Sequence, residues 1–227
     1  MFRKDARGIW RSTSIDSLGW LDHGFGGRWA GQWLEGERVA TLRQIHSDRV
    51  VLADEREGKI GDGDALMATQ PGLWIAMRTA DCVPVVIADP ARCAVAIVHS
   101  GWRGTATSIA IRAVESLERE FGSQRKHLIT AIGPGIGACC YEVGAEVASR
   151  LKRWWPERQD LDSRTRVDLG ATILRQLTQA GIEVEHVDLF TGCTCCQPEE
   201  FESFRRDGER SGRMVSAVSV RAGGLTS

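Results

Sequence analysis

Apolar residues along this chain fall into short runs that glycine, aspartate and proline interrupt, and such runs are typical of buried strands. Looser alternation over Arg38–Arg43 and Val50–Leu52 indicates two further extended segments. The clearer strands are predicted over Leu73–Met77, Val85–Ala88, Ala94–Val98, Leu128–Ile132, Val184–Phe190 and Met214–Val220.

Three other stretches place apolar residues at the spacing of a helix face, next to residues that cap or end helices. We predict helices from Thr105 or Thr107 to Gly122, from about Tyr141 onwards, and over Asp168–Ala180, before Gly181. Strands mixed with about three long helices predict an α+β fold. We expect a single domain, residues 1–227, built around a mixed β-sheet.

Composition and charge exclude several classes of protein. The 227 residues are 42% hydrophobic and 26% charged, with a formal net charge of −1, so a basic surface for nucleic acid is not expected. No apolar run follows Met1–Arg7, which argues against a secretory signal. The apolar stretch Cys82–Ala88 is far shorter than the roughly 20 residues of a membrane helix. Seven cysteines in a chain of this size indicate reduced thiols and a cytoplasmic protein.

Three residues form the candidate centre: His46 in a turn beside a strand, Cys82 in a polar break between strands, and His99 at the end of an apolar run. Two imidazoles and a thiolate suit Zn²⁺, and three protein ligands leave a fourth position for water or substrate. Gaps of 36 and 17 residues form no compact metal motif, so unrelated structural residues remain an alternative. Asp62, Asp64 and Asp81 are candidates for a general base or for a partner of a ligand.

The segments around these residues point to a family. They are Gln44–Ser47, Gly63–Leu66, Arg78–Pro84, Val98–Gly104, Ile132–Ile136, Cys139–Val143, Cys193–Thr194, Ser203–Gly208 and Gly212–Met214. In this order they closely resemble the laccase-domain family. It was formerly called multicopper polyphenol oxidases and is now described as purine nucleoside phosphorylases, with a peptidoglycan-editing member.

The resemblance implies a laccase-domain-like catalytic domain with mixed α/β/β/α-type layers, similar to Cys-His hydrolase-like folds. It also implies that His46, Cys82 and His99 are catalytic and bind one zinc ion. One departure is the segment between Arg28 and Gln44, which is shorter here than in the family. Any pocket wall that the family builds there is therefore in doubt.

The implied activity is phosphorolysis of adenosine, inosine or methylthioadenosine, which gives the free base and a ribose 1-phosphate, with adenosine deamination as a second activity. The expected partners are a nucleoside and phosphate, without nucleic acid or membrane, and a homodimer stays open. For deamination, Asp81 or Asp64 would carry the proton. The residues expected to bind substrate are Gln44, Asp64, Arg103 and Arg205.

Other functions remain as alternatives. Cys82 with His99 as base would make a cysteine hydrolase that acts on an amide, such as one in a peptidoglycan precursor. A copper oxidase would need several histidine-rich clusters, and the chain has only five histidines, although Cu²⁺ can occupy a site of this kind. A zinc-binding module without catalysis is the fourth alternative.

Four further features have two interpretations each. Gly133–Gly137 forms either an anion-binding nest or a tight turn. Arg205, Arg206, Arg210 and Arg213 are either solvated or, for the pair beside Phe204, contact phosphate or a base. Arg103 either pairs with Asp62 or Asp64 or orients substrate. Cys193–Cys196 resembles a metal knuckle, but only Cys139 and Cys140 are available as a second one, so buried free thiols are predicted.

Overall fold

Strands and short helices alternate along the computed structural model, which describes residues 1–222. The strands are β1 (Phe2–Lys4), β2 (Ile9–Ser12), β3 (Leu21–Gly26), β4 (Arg38–Arg43), β5 (Val50–Leu52), β6 (Gly58–Asp62), β7 (Ala65–Ala68), β8 (Leu73–Thr79), β9 (Val83–Asp89), β10 (Ala94–Ser100), β11 (Ile129–Ile132), β12 (Glu142–Val143), β13 (Thr165–Arg166), β14 (Val187–Leu189) and β15 (Met214–Val220). The α-helices are α1 (Thr13–Asp16), α2 (Trp102–Ala106), α3 (Ile109–Phe121), α4 (Ala145–Ala148), α5 (Leu169–Gln179) and α6 (Phe204–Asp207).

Two mixed sheets make up the centre of the fold. Sheet A has seven strands in the order β1-β2-β3-β15-β8-β4-β6, and sheet B has six in the order β14-β11-β9-β10-β7-β5. The strands β12 and β13 form a separate two-stranded sheet. The predicted mixed α and β architecture is confirmed, and the sequence pattern did not reveal that the strands divide between two sheets.

The division follows from apolar residues on both faces of sheet B. Along β9, Val85 and Ile87 belong to the core beneath α3 and α5, whereas Val86 and Ala88 belong to the core between the sheets. A strand buried on both faces reads as a continuous apolar run, as this one does. The layers are therefore helices, sheet B and sheet A.

The outer face of sheet A carries a smaller cluster. Trp74, Ala76 and Ala217 pack there against Trp33 and Leu34. The segment 27–37 that supplies these two side chains consists of turns and bends. The family resemblance implied a helical layer outside each sheet. On this face of sheet A the structure has a loop instead.

Local backbone chemistry explains where helices begin and end. The helix predicted from Thr105 onwards is split because Ser108 adopts φ +63°, a left-handed conformation that ends α2 before α3 starts. Gly122, at φ +69°, ends α3 as predicted. Asp168 caps α5 by accepting a hydrogen bond of 2.8 Å from the backbone N–H of Ala171.

Two sequence predictions were wrong in extent. The helix expected from about Tyr141 is only the four-residue α4, which starts at Ala145, after β12. The strand expected from Val184 starts at Val187, because residues 184–186 form a 3₁₀ turn. Within residues 1–222, no helix combines the length and the apolarity that crossing a bilayer requires.

Three connections between the sheets determine the position of the site. The parallel strands β4, β6 and β8 end at one edge of sheet A, and each continues into a strand of sheet B. The crossings are residues 44–49, 63–64 and 80–82. Strand β10 runs antiparallel to its neighbours β7 and β9, so it ends at the edge where those strands begin. Four chain segments far apart in sequence therefore meet at one edge of the molecule.

Candidate active site

His46, Cys82 and His99 come together at this edge. His46 lies in the first crossing, Cys82 in the third, and His99 near the end of β10. One ligand atom from each residue lies within 4.8 Å of those of the other two. His46 is exposed, Cys82 is half-buried and His99 is 4% exposed, so the cluster reaches from solvent into the core.

Asp64, from the second crossing, holds two of these residues in place. Its Oδ1 lies 2.9 Å from Nδ1 of His99, which leaves Nε2 of the ring to face the cluster. Its carboxylate also accepts hydrogen bonds from the backbone N–H groups of Ile45 (3.2 Å), His46 (3.0 Å) and Ser47 (2.6 Å), and from the Ser47 hydroxyl (2.7 Å). One fully buried carboxylate thus orients His99 and fixes the turn that carries His46.

The protonation of the cluster follows from these contacts. Burial alone would raise the pKa of the Cys82 thiol, but hydrogen bonds with His46 and His99 lower it to about 7. Burial would lower the pKa of His99, but hydrogen bonds with Asp64 and Cys82 raise it to about 9. For Asp64, burial is outweighed by the hydrogen bonds from His99 and Ser47, and its pKa falls to about 2. The Cys82 thiolate, the His99 imidazolium and the Asp64 carboxylate thus stabilise one another.

Two non-glycine residues of the crossings adopt left-handed backbone conformations, His46 at φ +57° and Asp81 at φ +81°. The Asp81 carboxylate accepts hydrogen bonds of 2.6 Å from the Thr194 hydroxyl and from the backbone N–H of Arg205. These contacts offset the local strain and fix the turn in which Cys82 lies.

The cluster forms part of the wall of a cavity of about 630 Å³. Its apolar wall includes Trp102, Ile136, Tyr141, Leu169 and Phe204. The charged side chains on its wall are Arg78, Arg103, Arg205, Arg213 and Asp81. Four arginines lie on this wall with one aspartate, so these side chains carry a net positive charge.

Three of the four residues expected to bind substrate line this cavity, and each is held differently. Gln44 exchanges two hydrogen bonds of 2.8 Å with the backbone of Arg78. The guanidinium of Arg103 lies 4.5 Å from the ring centre of Trp102, and within residues 1–222 no carboxylate pairs with it. Arg205 donates to the carbonyls of Cys140 (3.1 Å) and Glu142 (3.0 Å).

The fourth, Asp64, is 0% exposed and does not line the cavity. The prediction that Asp64 contacts substrate or carries a proton was wrong, because its oxygens accept hydrogen bonds from His99 and from the turn of His46. Both oxygens of Asp81 likewise accept hydrogen bonds from the protein. Asp62 lies at the surface, where it accepts a 2.8 Å hydrogen bond from Arg43, so it is neither a base at the cluster nor a partner of Arg103.

Sequence reasoning missed Arg78 and Tyr141, which both line the cavity. A signal was available, since Arg78 precedes the crossing that carries Cys82 and Tyr141 follows the glycine-rich segment Gly133–Gly137. The shorter segment after Arg28 does not line the cavity. Residues 31–35 instead form a wall of an adjoining groove of about 780 Å³, which shares Gln44, Arg78 and Arg213 with the cavity.

Gly133–Gly137 is an irregular segment before a turn at residues 138–140, so neither the tight turn nor the anion-binding nest predicted for it is confirmed. Its backbone N–H groups are used within the protein: Gly133 donates to the carbonyl of Pro84 (2.8 Å) and Ile136 to that of Asp81 (2.9 Å). A Cβ at Gly133 would lie 2.3 Å from the Phe25 ring, so close packing explains the glycine.

Two other expectations are resolved by the contacts. Arg206 bonds to Asp207 and to the carbonyls of Thr194 and Phe201, so it stabilises the loop and does not face the cavity. Cys139 and Cys196 are exposed, so the prediction of buried free thiols was wrong for these two, whereas Cys193 is buried and free. These three residues and Cys140 lie in one cluster.

The donor set at His46, Cys82 and His99 fits a metal ion. Two imidazoles and a thiolate match the preference of Zn²⁺, and the Asp64–His99 contact is the usual arrangement behind a zinc-bound histidine. A Cβ at Gly101 would lie 2.9 Å from Sγ of Cys82 and 3.2 Å from Cδ2 of His46, so the backbone leaves space beside the donors only because glycine is there.

Comparisons with known proteins show the family of this chain. A family model described as multi-copper polyphenol oxidoreductase laccase matches residues 28–221, and the chain belongs to this family. A purine nucleoside phosphorylase of Clostridium acetobutylicum is 32% identical over 188 residues, 82% of this chain and 78% of the relative. Adenosine deaminase RL5, from an unknown prokaryotic organism, is 34% identical over 191 residues, 78% of this chain and 72% of the relative. These relatives support an enzyme.

Solved structures give the same fold. The hypothetical protein YfiH of Bacillus licheniformis superposes with a TM-score of 0.85 at 27% identity, covering 97% of this chain and 99% of that chain. YlmD of Geobacillus stearothermophilus gives a TM-score of 0.88 at 24% identity with the same coverage, which supports the fold alone.

Proposed function

We propose that the chain is a zinc-dependent purine nucleoside phosphorylase that acts on adenosine, inosine or methylthioadenosine, with adenosine deamination as a secondary activity. The observation that carries the proposal is the meeting of His46, Cys82 and His99 at a cavity with an aromatic wall and an excess of arginine. Relatives that bear the names of both activities support it.

The cavity has the chemistry that a nucleoside and phosphate require. Purine rings stack on aromatic side chains, and Trp102, Tyr141 and Phe204 lie on its wall. Phosphate oxygens pair with guanidinium groups, and Arg103 carries a charge that no described carboxylate neutralises. A volume of about 630 Å³ lies in the range of small-molecule sites.

The roles of the chain's own residues follow from their contacts. His46, Cys82 and His99 would hold the ion, which when bound supplies a Lewis acid. Asp64 fixes the ring of His99 and the turn of His46. Arg103 would position phosphate for attack on the sugar carbon that bears the base, where the transition state develops positive charge.

The carboxylates favour phosphorolysis over deamination. Deamination needs a group that carries a proton to the leaving amine. Asp81 is the carboxylate among the described lining residues, and both of its oxygens already accept hydrogen bonds. Phosphorolysis needs anion binding instead, which the arginines supply.

The test incubates the purified chain with adenosine, inosine or methylthioadenosine, with and without phosphate, and separates the products by chromatography. We expect release of free base and a sugar 1-phosphate that depends on phosphate. Cys82→Ala should abolish the reaction, whereas Cys93→Ala, which removes a thiol outside the cavity, should retain it. Base release at the same rate with and without phosphate, or no release from any of the three nucleosides, would contradict the proposal.

A cysteine hydrolase is the second candidate, and one observation favours it. The Cys82 thiol, with a pKa of about 7, hydrogen-bonds with His99, which Asp64 orients in turn. This is the order of nucleophile, base and orienting acid in cysteine hydrolases. The candidate predicts that a metal-depleted chain cleaves or exchanges an amide in a peptidoglycan precursor and is inactivated by alkylation of Cys82. Activity that requires metal and is unaffected by alkylation of Cys82 would exclude the cysteine hydrolase.

Copper is the alternative ion, because the family description names it and a nitrogen and sulfur site binds Cu²⁺ tightly. Elemental analysis of the chain purified without added metal distinguishes the two. We expect zinc, with loss of that ion in Cys82→Ala. Copper together with oxidation of a phenol would support the oxidase instead.

A further inference from the structure

Four cysteines outside the active site gather where two loops meet. Cys139 and Cys140 follow the glycine-rich segment Gly133–Gly137 after β11, and Cys193 and Cys196 lie in the loop before α6. The four sulfur atoms all lie within 4.8 Å of one another. The two pairs are more than fifty residues apart in sequence, so the fold and not local spacing creates the cluster.

The distances suit a tetrahedral thiolate site. Four sulfur atoms at about 2.3 Å from one Zn²⁺ lie roughly 3.8 Å apart. Sγ of Cys196 lies 3.4 Å from that of Cys139 and 3.2 Å from that of Cys140. These separations are much longer than a disulfide bond of about 2.0 Å, and small side-chain rotations would open them to the metal-bound value.

The backbone around the cluster also resembles that of a thiolate site. The N–H of Gly137 donates to Sγ of Cys193 at 3.2 Å, and such N–H···S contacts stabilise thiolates bound to metal. A Cβ at Gly137 would lie 3.4 Å from Sγ of Cys139 and 3.6 Å from Sγ of Cys193. The backbone at Gly137 therefore lies against the sulfur atoms of both Cys139 and Cys193.

We propose that Cys139, Cys140, Cys193 and Cys196 form a second metal site, a structural tetrathiolate centre that binds Zn²⁺. Four thiolates fill the coordination sphere, so this site holds no water or substrate and serves the fold. Cys139 and Cys196 are exposed, which gives the ion a path from solvent. Cys195 lies between two of the ligands in sequence but outside the cluster.

The position of the site predicts what it stabilises. Tyr141, next to Cys140, lies on the cavity wall. Thr194, next to Cys193, donates its hydroxyl to Asp81 in the turn that carries Cys82. Arg205 donates to the carbonyl of Cys140. An ion bound by the four cysteines would therefore stabilise the two loops that position Tyr141 on the cavity wall and Thr194 against Asp81.

Zinc content and thermal stability test this proposal without an activity assay. The full chain is purified under reducing conditions, depleted of metal and titrated with Zn²⁺ or Co²⁺. We expect about two ions per chain for the wild type and about one for Cys140→Ser or Cys196→Ser. Cys93→Ser is the matched control and should keep both ions.

Cys82→Ala separates this site from the active site. In that variant one ion should remain, Zn²⁺ should still raise the Tm, and Co²⁺ should still give the strong visible absorption of a tetrahedral thiolate complex. This outcome is independent of whether the proposed nucleoside activity exists.

A measurement on the wild type covers the case in which a cysteine variant does not fold. Zn²⁺ should slow alkylation of the four cluster cysteines at least about tenfold, as followed by mass spectrometry of peptides, and leave Cys93 unaffected. Equal alkylation with and without Zn²⁺, or a disulfide between Cys196 and Cys139 or Cys140 that persists in the reduced preparation, would overturn the proposal.

Discussion

Gly101 lies so close to Cys82 that a Cβ at this position would lie 2.9 Å from the sulfur atom. Gly101 adopts φ −76°, a value open to any residue, so the steric contact and not the backbone requires glycine. The residue that precedes α2 thereby determines the space around two proposed metal ligands.

Gly101→Ala tests this relationship. Adding a methyl group to filled space costs about 1–3 kcal/mol, so we expect metal affinity to fall roughly five- to a hundredfold. Gly104→Ala is the control, because its Cβ would lie 3.0 Å from Ile109 and at ordinary contact distance from the backbone oxygens of Ser47 (3.5 Å) and His99 (3.6 Å), but near no donor atom of the cluster. Zn²⁺ titration of both variants measures the effect. Equal affinities in Gly101→Ala and the wild type would show that the contact is not a constraint.

Asp64→Asn removes the charge that orients His99 while keeping the shape of the side chain. Loss of a partner behind a zinc-bound histidine typically costs about 10- to 100-fold in metal affinity, and we expect a loss in this range. Asp62→Asn is the matched control, since Asp62 pairs with Arg43 at the surface. Competition with a chelator measures both, and an unchanged affinity in Asp64→Asn would exclude the orienting role.

Acid stability offers a second test of Asp64. Its pKa falls from 3.8 to about 2 in the folded chain, so the carboxylate stabilises the fold above about pH 4, and this contribution is lost as the pH falls through 2. The shift corresponds to about 2 kcal/mol. Urea unfolding of metal-free wild type and Asp64→Asn should give curves that differ at pH 5 and converge near pH 2. A difference that persists at pH 2 would contradict this account.

The reactivity of Cys82 reports the charges of the cluster. In the metal-free folded chain its pKa is about 7 instead of the usual 9.0, because hydrogen bonds with His46 and His99 outweigh burial. The rate of alkylation of Cys82 should therefore rise with pH around a midpoint near 7. The urea-unfolded chain should show a midpoint near 9. His99→Gln should move the folded midpoint upward, and a folded midpoint already near 9 would refute the assignment.

Arg103→Gln tests the proposed phosphate contact. A hydrogen bond to a charged group contributes about 1.5–3 kcal/mol, so the KM for phosphate should rise roughly 10- to 100-fold. The Tm should change little, because Arg103 is exposed and forms no ion pair among the described residues. Arg112→Gln, on the exposed face of α3, is the control. A change in the KM for nucleoside alone would assign Arg103 to the base or sugar.

Much of the fold was readable because β8, β9, β10 and β15 are buried runs bounded by turn residues. The end of α3 at Gly122 could also be predicted, because a helix often ends at a left-handed residue and glycine adopts that conformation readily. Residues 184–186 misled the pattern, because Val184 alternates with Glu183 and Glu185 as in a strand although it is 54% exposed.

The meeting of His46, Cys82 and His99 could be inferred from family resemblance but not from their spacing. Their proximity depends on β4 and β8 running parallel in one sheet and β10 ending at the corresponding edge of the other. Strand order and direction are set by packing over the whole core, which no local pattern records. A metal site that joins Cys139 and Cys140 to Cys193–Cys196 was weighed and rejected in favour of buried thiols, because the sequence does not record that these two loops meet in space.

The crossings between the sheets have a consequence for folding. His46 and Cys82 lie on chain segments that leave sheet A, and His99 lies on a strand of sheet B, so the donor atoms reach a common point only after the sheets have docked. A partly folded chain with separated sheets would lack a complete donor set and would release the ion. The exchange rate of an ion bound there would therefore report how often the two sheets separate.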